Sequence, residues 1–311
     1  MQPTISVLIP NLDSPWVGRT LAALAAQGAP GPEVEVVVVG RDAPGQVPRG
    51  TAVRFLETPE RLSPAAARNR AVAAAQGDRL LFTDADCRPL PGWIERLAAA
   101  LDTSPVAGGA VTFPRAPADT NRWALADNIA SFHELLADRP AEADTRGAIG
   151  SLNLAVRREA WDRVGPFDES LPTSEDIDWV LRARRAGLAT AFVPDAVVEH
   201  AAVRKSREEL EGHAAWYGRH FHRFRLLHPG VFDSGPTWKT PRRLRLAAPL
   251  KSVAAALSIF LRHPSLRECW RAFPGVVAFW RAWYRAVLTP PAPLSHRPPS
   301  DRERGEKEVG S

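Results

Sequence analysis

The chain has 311 residues, of which 45% are hydrophobic, 8% aromatic and 24% charged. This balance excludes a fibrous or largely disordered protein and allows one large domain with appendages, or two domains. The formal charge of +5 hides a split: residues 1–200 hold 20 Lys and Arg against 26 Asp and Glu, net −6, whereas residues 201–311 hold 20 against 9, net +11. An acidic domain followed by a basic attachment points the latter toward an anionic partner, either membrane surface or nucleic acid.

In chain order, the first third carries four short apolar runs: Ile5–Ile9, Val34–Val39, Val53–Leu56 and Leu80–Thr83. Val34–Val39 is almost continuously β-branched, the pattern of a parallel strand buried on both faces. Helical patterns fall between them. Trp16–Gln27 runs to Gly28, and Ala65–Gln76 has Ser63 as N-cap, Pro64 at the first helical position and Gly77 past its end, which predicts a sharply bounded helix. Further helices are predicted at Gly92–Leu101, Trp123–Leu136 and Glu175–Ala186, and further strands at Val106–Val111, Ile149–Val156, Thr190–Val193 and Val197–Glu199. Alternating strands and helices predict an α/β fold with a mostly parallel sheet and right-handed crossovers.

Beyond residue 205 the character changes. Ser206–Phe224 reads as helix and residues 228–243 as a Pro/Gly-rich loop. Two amphipathic stripes follow: Leu246, Leu250, Val253, Leu257 and Phe260, then Phe273, Val277, Trp280, Trp283 or Tyr284, and Val287. Both have helical spacing. The predicted units are a domain over 1–205, a basic helical extension over 206–288 and a disordered tail over 289–311.

Two cysteines, Cys87 and Cys269, cannot build a disulfide framework, and no Cys/His spacing fits zinc. The reading is a reducing, cytoplasmic compartment. No basic segment precedes the short run Ile5–Ile9, so no signal peptide is expected. No uncharged stretch reaches the roughly 18 apolar residues of a spanning helix.

Four groups carry candidate chemistry. Asp84 and Asp86 end the apolar run Leu80–Thr83. In extended backbone, positions i and i+2 point the same way, so both carboxylates can meet one hard cation, Mg²⁺ or Mn²⁺, at the ligand-binding end of a parallel strand; a solvated turn is the plainer alternative. Glu175, Asp176 and Asp178 stand in the first turn of a helix, where the dipole alone favours acids; chemistry requires that turn to face Asp84 and Asp86. Arg68 and Asn69 suit a phosphate and a base or sugar, or an exposed polar face. His200 ends a strand and is either structural or a further neutral metal ligand.

The order and spacing of these pieces resemble inverting family 2 glycosyltransferases of the GT-A fold. The resemblance runs through ISVLIPNLDSPWVGRTLAALAAQ (5–27), EVEVVVVGRDAPG (33–45), LSPAAARNRAVAAAQGDRLLFTDADCRPLPGWIERL (62–97), GAIGSLNLAVRREAWDRVGPFDE (147–169) and SEDIDWVLRARRAGLATAFVPDAVVEH (174–200). It implies that Asp84 and Asp86 form the D-x-D that holds the nucleotide diphosphate and a divalent metal, with His200 as a late metal ligand. It implies that Asp176 is the general base toward an acceptor hydroxyl, with Glu175 the second choice. Pro10 and Arg68 would line the nucleotide pocket, and Asn153 within 148–155 would lie under donor sugar and acceptor. One departure stands out. Where the family carries an Asp-Asp-Gly-Ser type turn after its second strand, this chain has Val39-Gly40-Arg41-Asp42, so either Asp42 takes the nucleoside-binding role from a shifted position or that recognition is rearranged.

The resemblance implies a nucleotide-diphosphate-sugar donor and a glycan or lipid-linked acceptor. The alternatives are a GT-A scaffold without turnover, a retaining transferase, and a nucleotidyltransferase. Against the last, the loop Pro10–Pro15 lacks glycine and has no basic residue before Arg19. Arg245, Lys251, Arg262, Arg281 and Arg285 beside Trp270, Trp280, Trp283 and Tyr284 suit an anionic membrane surface on the cytoplasmic side; packing on the catalytic domain is compatible with that. No nucleic-acid module is recognised.

Overall fold

A computed structural model describes residues 3–50, 53–139, 148–228, 231 and 241–287. Its centre is an eight-stranded sheet among the described residues. In chain order the elements of the first half are β1 (Ile5–Leu12), α1 (Val17–Ala25), β2 (Val34–Arg41), β3 (Arg54–Glu57), α2 (Pro64–Ala74), β4 (Arg79–Thr83), β5 (Cys87–Pro89) and α3 (Trp93–Ala100). Then come β6 (Val106–Thr112), α4 (Arg122–Phe132), β7 (Asn153–Arg157), α5 (Arg158–Val164), α6 (Glu175–Arg185) and β8 (Thr190–His200). The strand order is β3-β2-β1-β4-β7-β6-β8-β5. The β3-β2-β1-β4 half is parallel, while β7 runs antiparallel to both β4 and β6, and β5 antiparallel to β8. The architecture is the expected GT-A-like one, a mostly parallel sheet between helices followed by a helical C-terminal region.

The apolar runs divide between two cores. Val7, Ile9, Val36, Val38 and Leu81 face Trp93 and Leu97 of α3 and Leu24 of α1. Their sequence neighbours Leu8, Val37, Val39, Leu80 and Phe82 face Trp161, Phe167 and Trp179 on the other side. A strand covered on both faces has no polar side to show, which is why Val36–Val39 is unbroken.

Helix α2 begins as its sequence demands: Ser63 Oγ accepts from Ala66 N at 3.1 Å and Pro64 occupies the first turn. It ends two residues early, at Ala74. Gly77 is not a left-handed cap; a Cβ there would lie 2.8 Å from backbone atoms of Ile5 and Ser6. The chain must leave the helix to pass that close to β1. Other boundaries also move. The expected strand Ile149–Val156 starts only at Asn153, after a turn closed by Asn153 N to Gly150 O. The two strands expected at 190–193 and 197–199 are one, with a register shift where Val193 pairs with Gly109 and Val197 with Ala110. The helix expected over Trp123–Leu136 changes to a 3₁₀ turn at His133–Leu135.

The C-terminal layer comprises α7 (Arg207–Leu227), α8 (Pro241–Arg262), a 3₁₀ segment (Pro264–Ala272) and α9 (Phe273–Ala286). Helix α7 starts with a full capping box between Ser206 and Glu209. Val276, Phe279 and Trp283 of α9 pack with Leu125, Ile129 and Leu210 in a third core. The approach is close: a Cβ on Gly275 would lie 2.5 Å from the Ala126 Cβ. The buried face of α9 is thus Val276, Phe279 and Trp283, continued by Val287; of the predicted stripe, Trp283 and Val287 lie on it, and Phe273, Val277 and Trp280 are half-buried at its edge. Of the loop expected at 228–243, only His228, Val231 and 241–243 belong to the described residues, and the tail at 289–311 lies outside them.

Candidate active site

Two clefts meet at the carboxyl ends of β1 and β4. The first, about 250 Å³, is walled by Pro10–Leu12, Gly40 and the start of α2, and closes on Arg68, Asp84 and Asp86. The second, about 330 Å³, shares those three residues and continues past Glu175, Asp176 and His200 to Trp216 and Tyr217 of α7. The D-x-D pair thus stands at the junction.

Its local geometry differs from the expected one. Strand β4 stops at Thr83 and residues 84–86 form a turn closed by Cys87 N to Asp84 O at 3.1 Å. The i, i+2 alternation of extended backbone is therefore not what points both carboxylates at the junction; the turn does. Asp84 Oδ1 accepts from Arg68 Nη2 at 2.5 Å, and Arg68 Nη1 donates to Glu175 Oε1 at 2.7 Å. The buried guanidinium bridges the D-x-D turn and the start of α6, and its Nε has no partner among the described residues. Burial pushes the Asp84 carboxyl up, and Asp86 adds to that against the pull of Arg68. Burial and the neighbouring Asp176 push Glu175 up to about 7. Burial acts the same way on Asp86, but the His200 imidazole overrides it and holds that carboxyl below its usual range.

His200 lies under this pair. Its Nδ1 donates to Asn128 Oδ1 at 2.8 Å, which turns Nε2 toward Asp86 Oδ2, 3.5 Å away. Burial pulls the imidazole down, yet Asp86 raises it overall. Behind it, Asp127 accepts from Arg204 at 3.0 Å and from His213 Nδ1 at 2.7 Å. Burial opposes the Asp127 charge, but His213 and Arg204 hold its carboxyl far below the usual range. Burial lowers His213 in turn, against the pull of Asp127.

Asp176 is half-buried and lines the second cleft. Its Oδ2 accepts from Ser151 N at 2.8 Å and Ser151 Oγ at 3.1 Å, and its Oδ1 from Ile177 N at 2.8 Å. The turn that shortened β7 supplies Ser151. Immediately before α6, Ser174 is held at φ 64°, a left-handed conformation that costs energy in a non-glycine residue and recurs at working sites.

Three of the residues singled out in the sequence face elsewhere. Asn153 is buried: its Oδ1 accepts from Trp93 Nε1 at 2.8 Å, and its Nδ2 donates to Ala110 O at 2.8 Å and Ala196 O at 2.9 Å. It ties the β8 bulge to the sheet and lines neither cleft. Asn69 exchanges hydrogen bonds with the Phe167 backbone and donates to Glu169 at 2.9 Å, clamping the G-x-F-D-E loop to α2. Asp42 accepts from Gln46 N at 3.0 Å and Val47 N at 2.7 Å, so its carboxylate closes its own loop. At the position of the departure, Gly40 has φ 133°, and a Cβ there would sit 1.9 Å from Asn11 O. Only glycine fits that wall of the first cleft.

As they stand, Asp84, Asp86 and His200 do not converge, and no group of three metal-ligating side chains does so among the described residues. The donor set nonetheless suits a hard cation. Two carboxylates share one turn, one of them disfavoured as an anion, and an imidazole has its Nε2 aimed at the other. Asn128, Asp127, Arg204, His213, Trp216 and Tyr217 were not legible as site residues. The only sequence signal was an Asp-Asn pair inside the apolar helical run 123–130.

A sequence profile of the glycosyltransferase-like family 2 matches residues 3–219. Glycosyltransferase AglE of Haloferax volcanii is 30% identical over 211 residues, which span 64% of this chain and 67% of that protein. The pre-mycofactocin glycosyltransferase of Mycobacterium tuberculosis is 29% identical over 180 residues, 57% of this chain but only 38% of the relative. Among solved structures, mannosyltransferase PcManGT from Pyrobaculum calidifontis, in complex with GDP-Man and Mn²⁺, aligns with a TM-score of 0.55 at 21% identity, covering 90% of this chain and 86% of its own. S. aureus TarS 1-349 aligns with a TM-score of 0.50 at 16% identity, covering 90% and 89%. These two likenesses concern the fold.

Proposed function

The chain belongs to the glycosyltransferase-like family 2, and from that premise we propose that it transfers a sugar from a nucleotide-diphosphate donor to an acceptor hydroxyl with inversion at the anomeric carbon. The observation that carries this reading is the position of Asp84 and Asp86 between two clefts, one reaching Pro10 and Gly40 and the other reaching Asp176. The nucleoside occupies the first cleft, the diphosphate the junction, and the acceptor the second.

Asp176, oriented by Ser151 and Ile177 N, takes the proton of the acceptor hydroxyl. The hydroxyl oxygen bonds to the anomeric carbon as the carbon–oxygen bond to the diphosphate breaks, and the nucleoside diphosphate leaves with that electron pair. Arg68 holds Glu175 and Asp84 in place at the start of this path. Asp84, Asp86 and His200 are the residues that would hold a divalent cation, Mn²⁺ or Mg²⁺, which would supply Lewis-acid neutralisation of the leaving diphosphate. The bond donated by His200 Nδ1 to Asn128 Oδ1 keeps the His200 proton on Nδ1 and turns Nε2 toward the carboxylates.

The acceptor is a glycan or lipid-linked glycan of cell-surface synthesis, and a lipid-linked one places the enzyme at the cytoplasmic face of the membrane. The likeness to a GDP-mannose-binding structure puts GDP-mannose beside UDP- and dTDP-sugars in the first donor panel. Nucleoside diphosphate release that requires Mn²⁺ or Mg²⁺ and stops in EDTA is expected, with NMR showing an inverted product anomer. Absence of turnover with every donor, or a retained anomer, overturns the reading.

A further inference from the structure

Helix α8 has two apolar faces, and only one is covered among the described residues. Leu244, Ala248, Ala256, Ile259 and Phe260 are buried in the helical core. Leu246, Leu250, Val253, Leu257 and Leu261 are between 41% and 84% exposed. Steps of 4, 3, 4 and 4 keep these five on one side of the helix, a strip about 22 Å long at 1.5 Å per residue. Trp270, also exposed, packs tilted against Phe260, ring centroids 4.8 Å apart, beside it. The predicted stripe therefore splits: Phe260 packs inward, and its other four members face out. Contiguous apolar surface of this kind marks an interaction site.

Charge identifies the occupant. Residues 241–287 hold nine Lys and Arg against one acid, Glu268. Arg243, Arg262, Arg267 and Arg281 are exposed. A second copy of the chain would bring this excess of positive charge against itself, whereas anionic headgroups complement it. Helix α8 does not cross the bilayer. Five of its 22 residues are basic, and no described helix is long and apolar enough to span. Pro249 stands inside it and leaves a carbonyl of the preceding turn without its helical donor. That carbonyl stays hydrated at headgroup depth and would be costly in hydrocarbon.

We propose that α8 lies in the plane of an anionic membrane interface, its Leu246–Leu261 strip in the acyl boundary and Arg243, Lys251 and Arg262 on lipid phosphates. This sharpens the membrane placement proposed above and is independent of the transfer chemistry. The test is co-sedimentation of the full chain with phosphatidylcholine vesicles and with mixed phosphatidylcholine–phosphatidylglycerol vesicles, without donor or acceptor. Wild type should pellet with the mixed vesicles and far less with the neutral ones. The triple variant Leu246→Gln, Leu250→Gln, Leu257→Gln should lose about tenfold or more of its partition. Arg243→Glu with Arg262→Glu should lose the salt-sensitive part. All should keep the wild-type thermal shift on nucleotide binding. If the triple variant fails to fold, Leu250→Gln alone provides the comparison. Four outcomes overturn the proposal: no binding of wild type to anionic vesicles, equal binding by wild type and variants, a wild-type dimer that the Gln substitutions dissolve, or binding only after removal of residues 288–311. Transfer activity that fails while vesicle binding persists tells against the enzyme reading alone.

Discussion

The acidic first two hundred residues and the basic remainder handle charge in opposite ways. In the first, charge is gathered inward: Asp84, Glu175 and Asp86 are drawn around Arg68 and His200, and two carboxyls are pushed up by burial. In the second, Arg204 is drawn in to Asp127, but Arg243, Arg262, Arg267 and Arg281 stay at the surface while apolar side chains work on both sides of α8. A cluster of half-neutralised carboxylates is costly unless something cationic comes to it. An uncovered apolar strip ringed by arginine is costly unless something apolar and anionic does. The two regions touch through α4 and α7: Asp127 of α4 meets His213 of α7, and Trp216 and Tyr217 of α7 wall the second cleft. The basic layer is therefore part of the site's frame as well as an attachment.

This contrast breaks most sharply at the proposed base. Asp176→Asn should lower turnover by about 10² to 10⁴-fold while nucleotide binding, read by thermal shift, persists; a smaller loss moves the base elsewhere. Next is the central cation. Arg68→Met leaves Asp84 and Glu175 facing each other without a partner, and denaturant unfolding should show a loss of about 3 to 5 kcal/mol. A loss under about 1 kcal/mol would mean the bridge contributes no more than a surface pair. Asn128→Ala removes the acceptor that orients His200, and the Mn²⁺ concentration for half-maximal activity should rise about 10 to 100-fold with little change in donor KM.

The pH dependence is smaller. The folded pKa of Glu175, about 7, lies above its ordinary value of 4.5. Its contribution to stability is therefore full below the ordinary value and is lost as pH rises through the folded one. Wild type in EDTA should lose Tm between about pH 5 and pH 8 on this account, and Glu175→Gln should narrow that drop by a few degrees. An unchanged slope would put the titration on other groups.

The fold was legible where local pattern and tertiary role coincide. Val34–Val39 had to be a buried strand, and Ser63-Pro64 had to start a helix. It was less legible where a long-range approach decides, as at Gly77, which ends α2 for the sake of β1. At the site, Pro10, Arg68, Asp84, Asp86, Glu175, Asp176 and His200 line the two clefts, but residue type alone did not separate ligand groups from scaffold. Asn69, Asn153 and Asp42 have the chemistry of binding residues and spend it on backbone and side-chain partners up to about a hundred positions away. Conversely, Asp127 and His213 are 86 residues apart, and no local pattern pairs them. Periodicity found the α8 stripe without showing which side was covered, because both sides are apolar.

The central claim is that the carboxylate junction performs transfer from a nucleotide sugar. It is tested most directly by nucleoside diphosphate release across GDP-, UDP- and dTDP-sugars with Mn²⁺, for wild type, Asp86→Ala and Asp176→Asn side by side. One donor turned over by wild type, lost in Asp86→Ala, and still bound but not turned over by Asp176→Asn is the predicted result. Equal release by all three proteins would contradict the account.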